Sequence, residues 1–291
     1  MKVLEQPALS LSLKNVLLAT DFSAGSDAAL KLALVLASRQ RAQVHTLHVA
    51  APDCYQLLDP EAFAITFNSW AANASHPSEI LRSLIDGLPS EVPLHPGRIW
   101  EVVSEIVQRN EIDLLVLASH GRHGIARLLL GSVAEDVFRN VTCPVLTVGP
   151  DVKPSDRSEL RISKILLATD FEPDSFAPRY AQWLANEFRA ELTVLHVIED
   201  RPTPTALAQR LREVVPDDGS LWRKPAYMLS HGSPSGRILD TAWQLLPDVI
   251  ILGARHPEPA RINSHLPWDT AARVIAGAPC PVLTIRQGGR P

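Results

Sequence analysis

The amino-acid sequence predicts an α/β protein made of two tandem open parallel-sheet domains. Three observations carry that expectation: a duplicated set of sequence blocks, apolar runs that alternate with helical patterns, and a polar seam between the halves. Leu17-Leu18-Ala19-Thr20-Asp21-Phe22 recurs as Leu166-Leu167-Ala168-Thr169-Asp170-Phe171. Leu47-His48-Val49 recurs as Leu195-His196-Val197, and Cys143-Pro144-Val145-Leu146-Thr147 as Cys280-Pro281-Val282-Leu283-Thr284. The blocks keep their order, and so long a period marks a duplicated domain rather than a solenoid. The seam, residues 151–160, is rich in Asp, Lys, Pro, Ser, Arg and Glu and has little to bury, which is linker composition. The expected division is residues 1–150, a linker over 151–162, and residues 163–291.

Residues 16–19 form a short apolar run ending in Thr20-Asp21, a strand leaving the core. Residues 26–39 set Leu30, Leu34 and Ala37 on one helical face. A second strand is expected over 44–49, and a helix over 78–88 that stops at Gly87 and Pro89. Residues 50–75 are loop-rich, and Phe63, Phe67 and Trp70 hint at a short helix packed on the sheet. Residues 100–109 are amphipathic. Residues 114–118 are continuously apolar, as expected of a strand covered on both faces. A helix over 132–139 and a last strand over 145–148 complete the half. The second half repeats the plan with strands at 165–168, 192–197, 249–253 and 282–285 and helices at 235–245 and 270–277. Strands alternating with helices imply parallel sheets joined by right-handed crossovers.

Composition narrows the function classes. The 291 residues are 46% hydrophobic and 21% charged, ordinary for a globular protein that needs no disulfide or metal to fold. A net charge of −4 gives no basic field for nucleic acid or an acidic membrane. The three cysteines, Cys54, Cys143 and Cys280, form no CxxC pair. Cys143 and Cys280, each before a proline, read as small apolar residues entering the last strand of each half. No run approaches a membrane span, and Glu5 and Pro7 interrupt the start where a signal segment would need an apolar stretch. A cytoplasmic location is expected.

The chemistry concentrates after the fourth strand. Ala118-Ser119-His120-Gly121 is followed by nine residues and then Gly131-Ser132. Glycine lets backbone N–H groups approach an anion closely, and Gly121 and Gly124 supply such a loop. Ser132 is placed to cap a helix whose unpaired N–H groups and positive dipole end favour phosphate.

Residues 119–135, together with Thr20-Asp21-Phe22-Ser23, resemble the universal stress protein family. Its ATP-binding members carry Gly-x2-Gly-x9-Gly-Ser/Thr at this point, and the resemblance covers residues 14–149 and 163–286. It implies a Rossmann-like fold with strand order 3-2-1-4-5, in which strands one and four meet where the winding reverses. Ligands of open α/β sheets sit there, beyond the carboxyl ends of the strands. The resemblance further implies that Thr20 and Asp21 flank an adenine with Val49 as an apolar wall. Ala118, Ser119, His120 and Gly121 would line the ribose and first phosphate. Gly131, Ser132 and Val133 would hold the phosphates of ATP or a related adenine nucleotide, with Mg²⁺. Ala118 departs from the pattern, which has glycine there. The last strands often pair domains in this family, so residues 145–148 and 282–285 are expected to associate, within the chain or in a homo-oligomer.

The second half departs further. Gly253 stays, but His256 replaces the second glycine, and Trp268-Asp269 stand where the first half has Gly131-Ser132. The loop gains two residues, with Pro257 and Pro259. A bulky ring and a carboxylate in place of the phosphate contacts argue against a triphosphate there. Asp170, kept in this half, points to a structural share for Asp21 in capping the next helix. His45 and His48, three apart on a strand, face opposite sides and make no metal pair. His120 and His123 sit in the glycine loop. Gly232-Ser233-Pro234-Ser235-Gly236 has proline where a nucleophile would stand, so it reads as a loop capping a helix. Three functions follow in order. The first is a stress-response regulator that binds adenine nucleotide in its first half and acts through protein partners. The second is a slow ATPase or nucleotidyl-transfer enzyme, against which Arg122 and Arg127 lack an evident base. The third is a ligand-free scaffold.

Overall fold

The computed structural model describes residues 11–51, 54–64, 77–91, 99–119, 132–152, 161–198, 204–254 and 267–286. In the first half these carry β1 (Asn15–Ala19), α1 (Ala24–Gln40), β2 (Gln43–Ala51), β3 (Cys54–Leu58), α2 (Pro77–Asp86), α3 (Ile99–Arg109), β4 (Leu114–Ala118), α4 (Ser132–Asn140) and β5 (Val145–Val148). In the second half they carry β6 (Lys164–Ala168), α5 (Ala177–Phe188), β7 (Glu191–Ile198), α6 (Pro204–Val214), β8 (Ala226–His231), α7 (Pro234–Leu245), β9 (Val249–Ala254), α8 (Pro267–Gly277) and β10 (Val282–Arg286). Phe67, Trp70, most of the linker and the glycine loop at 120–131 lie outside the described residues.

The strands form one ten-stranded sheet in the order β3-β2-β1-β4-β5-β10-β9-β6-β7-β8. Each half therefore has the expected 3-2-1-4-5 order, the second mirrored against the first. The halves join where β5 and β10 pair antiparallel, Val282 opposite Thr147 and Leu283 opposite Leu146. These are the strands expected to associate, and they do so within the chain. Thr284 Oγ1 also donates to the Val145 carbonyl at 3.1 Å.

Within the first half, one strand departs from parallel pairing. β3 runs antiparallel to β2, with Leu47 opposite Leu57. Only two residues separate Ala51 from Cys54, and so short a connection reaches an antiparallel neighbour but never a parallel one. Tyr55 and Glu91 then exchange backbone hydrogen bonds on the outer side of β3 at 2.9 and 2.7 Å. In the second half α6 makes the crossover, so β8 lies parallel to β7.

Alternation along the strands supplies two apolar layers. On one face Val16, Leu18, Leu114 and Val116 pack with Leu30, Ala33 and Leu36 of α1; this cluster continues into the second half through Ile165, Leu167 and Leu184. On the other, Leu17, Leu115 and Leu117 pack with Val103 and Ile106 of α3 and Val137 and Phe138 of α4. The amphipathic reading of α3 has this origin: its buried residues are Val102, Val103, Ile106 and Val107. Phe63 is 3% exposed, in a helical turn over residues 60–64. Cys143 and Cys280 are buried free thiols, and burial pushes both up to about 12, far from a reactive thiolate.

A carboxylate fastens the entry of each half. Asp113 Oδ2 accepts the Lys14 and Asn15 amides at 2.7 and 2.9 Å. Asp248 Oδ2 does the same for Ser163 and Lys164 at 2.6 and 2.8 Å.

Candidate functional site

In the first half β1 pairs on one side with β2 and on the other with β4. The chain winds outward in opposite directions from that pair, so the crevice opens at the carboxyl ends of β1 and β4. Ala19 lies opposite Leu117, which brings Thr20 and Ala118 next to each other at the carboxyl end of the pair. Ser119 is 1% exposed, and its amide donates to the Val148 carbonyl at 2.9 Å. Val49, half-buried at the end of β2, packs on the face that also holds α3 and α4. A helix that links two parallel strands runs against them, so α4 starts at this same end, with Ser132 and Val133 in its first turn. Thr20, Asp21, Val49, Ala118, Ser119 and the start of α4 thus share one end of the sheet. His120, Gly121 and Gly131, expected beside them, lie outside the described residues, as do Arg122, His123, Gly124 and Arg127.

The turn after β1 is tightly specified. Thr20 Oγ1 accepts the Phe22 amide at 3.1 Å, and Phe22 sits in the left-handed region at φ 60°. The Thr20 carbonyl meets His48 Nδ1 at 2.9 Å. The His48 ring lies 4.7 Å from that of Phe22, and the Arg82 guanidinium lies 5.0 Å from the Phe22 centroid. Asp21 Oδ1 accepts the Ser23 amide at 3.0 Å and the Ser26 hydroxyl at 2.7 Å. Ser23 is the N-cap of α1, accepting the Ser26 amide. Asp21 is therefore part of the helix start as well as of the crevice.

The second half repeats most of this turn. Thr169 Oγ1 accepts the Phe171 amide at 3.1 Å, Phe171 has φ 61°, and the Thr169 carbonyl meets His196 Nδ1 at 2.8 Å. The Phe171 and His196 rings are 4.1 Å apart, with Arg210 4.5 Å from Phe171. Phe22, Ser26, His48 and Arg82 are the residues that the sequence argument did not assign. The duplicated Phe and His in two repeat blocks were the available signal. Asp170 departs from the copy: its Oδ1 accepts the Glu172 amide at 3.3 Å, and Ser175, the counterpart of Ser26, turns elsewhere. A Cβ on Gly253 would lie 2.8 Å from Ser175 Oγ, so that side chain already occupies the approach to the end of β9. α8 begins at Pro267, and Trp268 and Asp269 fall in its first turn. His256, Pro257 and Pro259 lie outside the described residues.

His45 and His48 point to opposite faces, as strand geometry requires. His45 is 6% exposed, its Nδ1 faces the Asn110 side-chain amide at 3.5 Å, and its Nε2 is buried without a hydrogen-bond partner. Burial lowers its pKa from the ordinary 6.5, with Asp59 acting in the other direction. Among the described residues no cluster of His, Cys, Asp or Glu could hold a metal ion. No helix among them is long and apolar enough to cross a membrane.

The chain is similar to known proteins over most of its length. Residues 12–149 match the model of the universal stress protein family. A universal stress protein of Mycolicibacterium smegmatis is 28% identical over 298 residues, covering 94% of this chain and 97% of that protein. Another, from Methanocaldococcus jannaschii, is 37% identical over 70 residues, 24% of this chain and 35% of that protein. Among solved structures, a universal stress protein from Archaeoglobus fulgidus superposes with a TM-score of 0.65 at 21% identity, over 95% of this chain and 97% of that one.

Proposed function

Because the chain belongs to the universal stress protein family, in its tandem two-domain form, we propose that it is a stress-response regulator binding ATP or a related adenine nucleotide in its first half. The observation that carries this reading is the convergence of Thr20-Asp21, Val49, Ala118-Ser119 and the start of α4 at the open end of the β1–β4 pair. The residues there suit the ligand. Val49 and Ala19 offer a half-buried apolar wall for a base. The first turn of α4 offers free N–H groups and a positive dipole end for phosphates. Thr20, Asp21, Val49, Ala118, Ser119, His120, Gly121, Gly131, Ser132 and Val133 form the proposed site, with Mg²⁺ accompanying the nucleotide.

The same residues favour binding over catalysis. Asp21 is the carboxylate at that end of β1, and its Oδ1 is engaged by Ser23 and Ser26. A general base must reach the attacking water, and Asp21 Oδ1 is already committed to the helix start. Binding would then be read out through protein partners rather than through turnover. Mass spectrometry of the purified full chain after mild denaturation tests the reading. A co-purified adenine nucleotide is the expected result. No retained nucleotide, together with no binding of added ATP, would favour the scaffold instead.

A further inference from the structure

The repeat superimposes Gly149 and Arg286, each two residues past the threonine of a Cys-Pro-Val-Leu-Thr block. Their surroundings are reciprocal and unequal. Gly149 packs against the end of α8, where a Cβ would lie 2.5 Å from the Ile275 carbonyl oxygen. Arg286 reaches from the second half to the end of α4 in the first. Its Nη1 donates to the Val141 carbonyl at 2.8 Å and its Nη2 to the Arg139 carbonyl. It is 6% exposed.

The last turn of α4 is thereby closed from both halves. The Asn140 side chain takes the Asp136 carbonyl at 2.7 Å, and the Val141 amide takes that of Val137 at 2.9 Å. Arg286 takes the carbonyls of Arg139 and Val141. A cation at a helix carboxyl end complements the dipole, and burial strengthens that interaction. Burial lowers the guanidinium pKa, with Cys143 acting in the other direction, and an arginine side chain stays charged in a protein. The matching end of α8 receives a neutral donor instead, the Trp243 indole to the Gly277 carbonyl at 3.2 Å. The buried charge therefore serves only the helix whose other end carries Gly131-Ser132.

We propose that Arg286 is a positioning residue for the nucleotide site of the first half: the second half holds the phosphate-facing helix in place from its far end. This rests on the nucleotide reading above. It also gives the degenerate half a task, since pairing β10 to β5 delivers Arg286 to α4. α4 is nine residues long. A helix so short is marginal by itself and depends on its fastenings.

The test uses the full chain with Arg286→Met, Arg286→Lys and, as a control at the same seam, Thr284→Val. Two readouts are taken well below the melting temperature: ATP affinity, and hydrogen exchange of the amides over 132–140 without nucleotide. Arg286→Met is expected to weaken ATP binding about 3- to 10-fold and to raise exchange across α4, in line with the strength of a partly buried charge at a helix end. Arg286→Lys keeps the charge without the fork and should recover part of both. Thr284→Val should lower the melting temperature while leaving affinity unchanged. Wild-type affinity in Arg286→Met overturns the proposal. If that variant fails to fold, wild-type affinity in Arg286→Lys overturns it. If the unaltered chain binds no ATP, the nucleotide reading falls and this proposal with it; the exchange data then separately report whether Arg286 holds α4.

Discussion

Asp21 Oδ1 accepts the hydroxyl of Ser26 at 2.7 Å, so the carboxylate that ends β1 also fastens the first turn of α1. Thr169-Asp170-Phe171 repeats the sequence of this turn, yet Asp170 Oδ1 accepts the Glu172 amide at 3.3 Å, and Ser175, the counterpart of Ser26, accepts the Ala177 amide instead. The duplicated aspartate thus carries unequal structural weight in the two halves.

Asp21→Ala should therefore cost more stability than Asp170→Ala. Loss of a helix-start fastening costs about 0.5–2 kcal/mol, and Ser26→Ala should fall in the lower part of that range. Urea unfolding of the three variants measures this. Equal effects at Asp21 and Asp170 would show that the Ser26 hydrogen bond contributes nothing.

Gly149→Ala should loosen the seam between the halves. Its Cβ would stand 2.5 Å from the Ile275 carbonyl oxygen, and rigid helix backbone has little room to yield. Overpacking of this kind costs about 1–3 kcal/mol. Thermal unfolding reads it directly, and a melting temperature equal to that of the unaltered chain would contradict the close approach.

Stability should fall on acidification below the ordinary histidine value, through His45. Its folded pKa is lowered from 6.5 by burial. The unfolded chain then binds the proton first, so stability is complete above about pH 6.5 and declines as the pH drops toward the folded value. Protonation would place an N–H at Nδ1 against the Asn110 amide donor and a charge among buried side chains. His45→Gln should flatten the pH dependence below about pH 6.5 relative to the parent. An unchanged slope would place the titration elsewhere.

Turnover should be slow and stoichiometry single. The Ser175 hydroxyl at the end of β9 and Trp268-Asp269 in the first turn of α8 argue against a triphosphate in the second half. A carboxylate about 4 Å from a phosphate costs about 1 kcal/mol in bulk water and several times that when partly buried. Hydrolysis by contaminant-free protein should stay far below the ~10 s⁻¹ of a typical enzyme. Two equivalents of ATP bound per chain, or fast turnover, would contradict these expectations.

The sequence made the fold legible where apolar periodicity and duplication coincide. Val16 to Ala19, Leu114 to Ala118 and Val145 to Val148 declare buried strands by composition alone, and their copies repeat the plan. β3 was not legible. Its residues, Cys54 to Leu58, alternate weakly, and its pairing depends on a two-residue connection and on the Tyr55–Glu91 bridge. β8 was not legible either: its apolar run, Ala226 to Leu229, is only four residues long, and the strand is half-buried or exposed throughout. In the candidate site the ends of β1 and β4 could be named from motif spacing. Phe22, His48 and Ser26 could not, because their contacts depend on a left-handed backbone at Phe22 and on the register of β2 against β1. Arg286 is a longer-range case still: nothing near it in sequence predicts that it meets the end of α4.

ATP is proposed to bind in the first half through residues that include Gly131 and Ser132. Titration calorimetry of the full chain and of Gly131→Val with ATP and Mg²⁺ tests it most directly. The account predicts one equivalent bound by the unaltered chain and no saturable binding by the variant, with both proteins melting at similar temperatures when nucleotide is absent. Equal binding by the two proteins would contradict it.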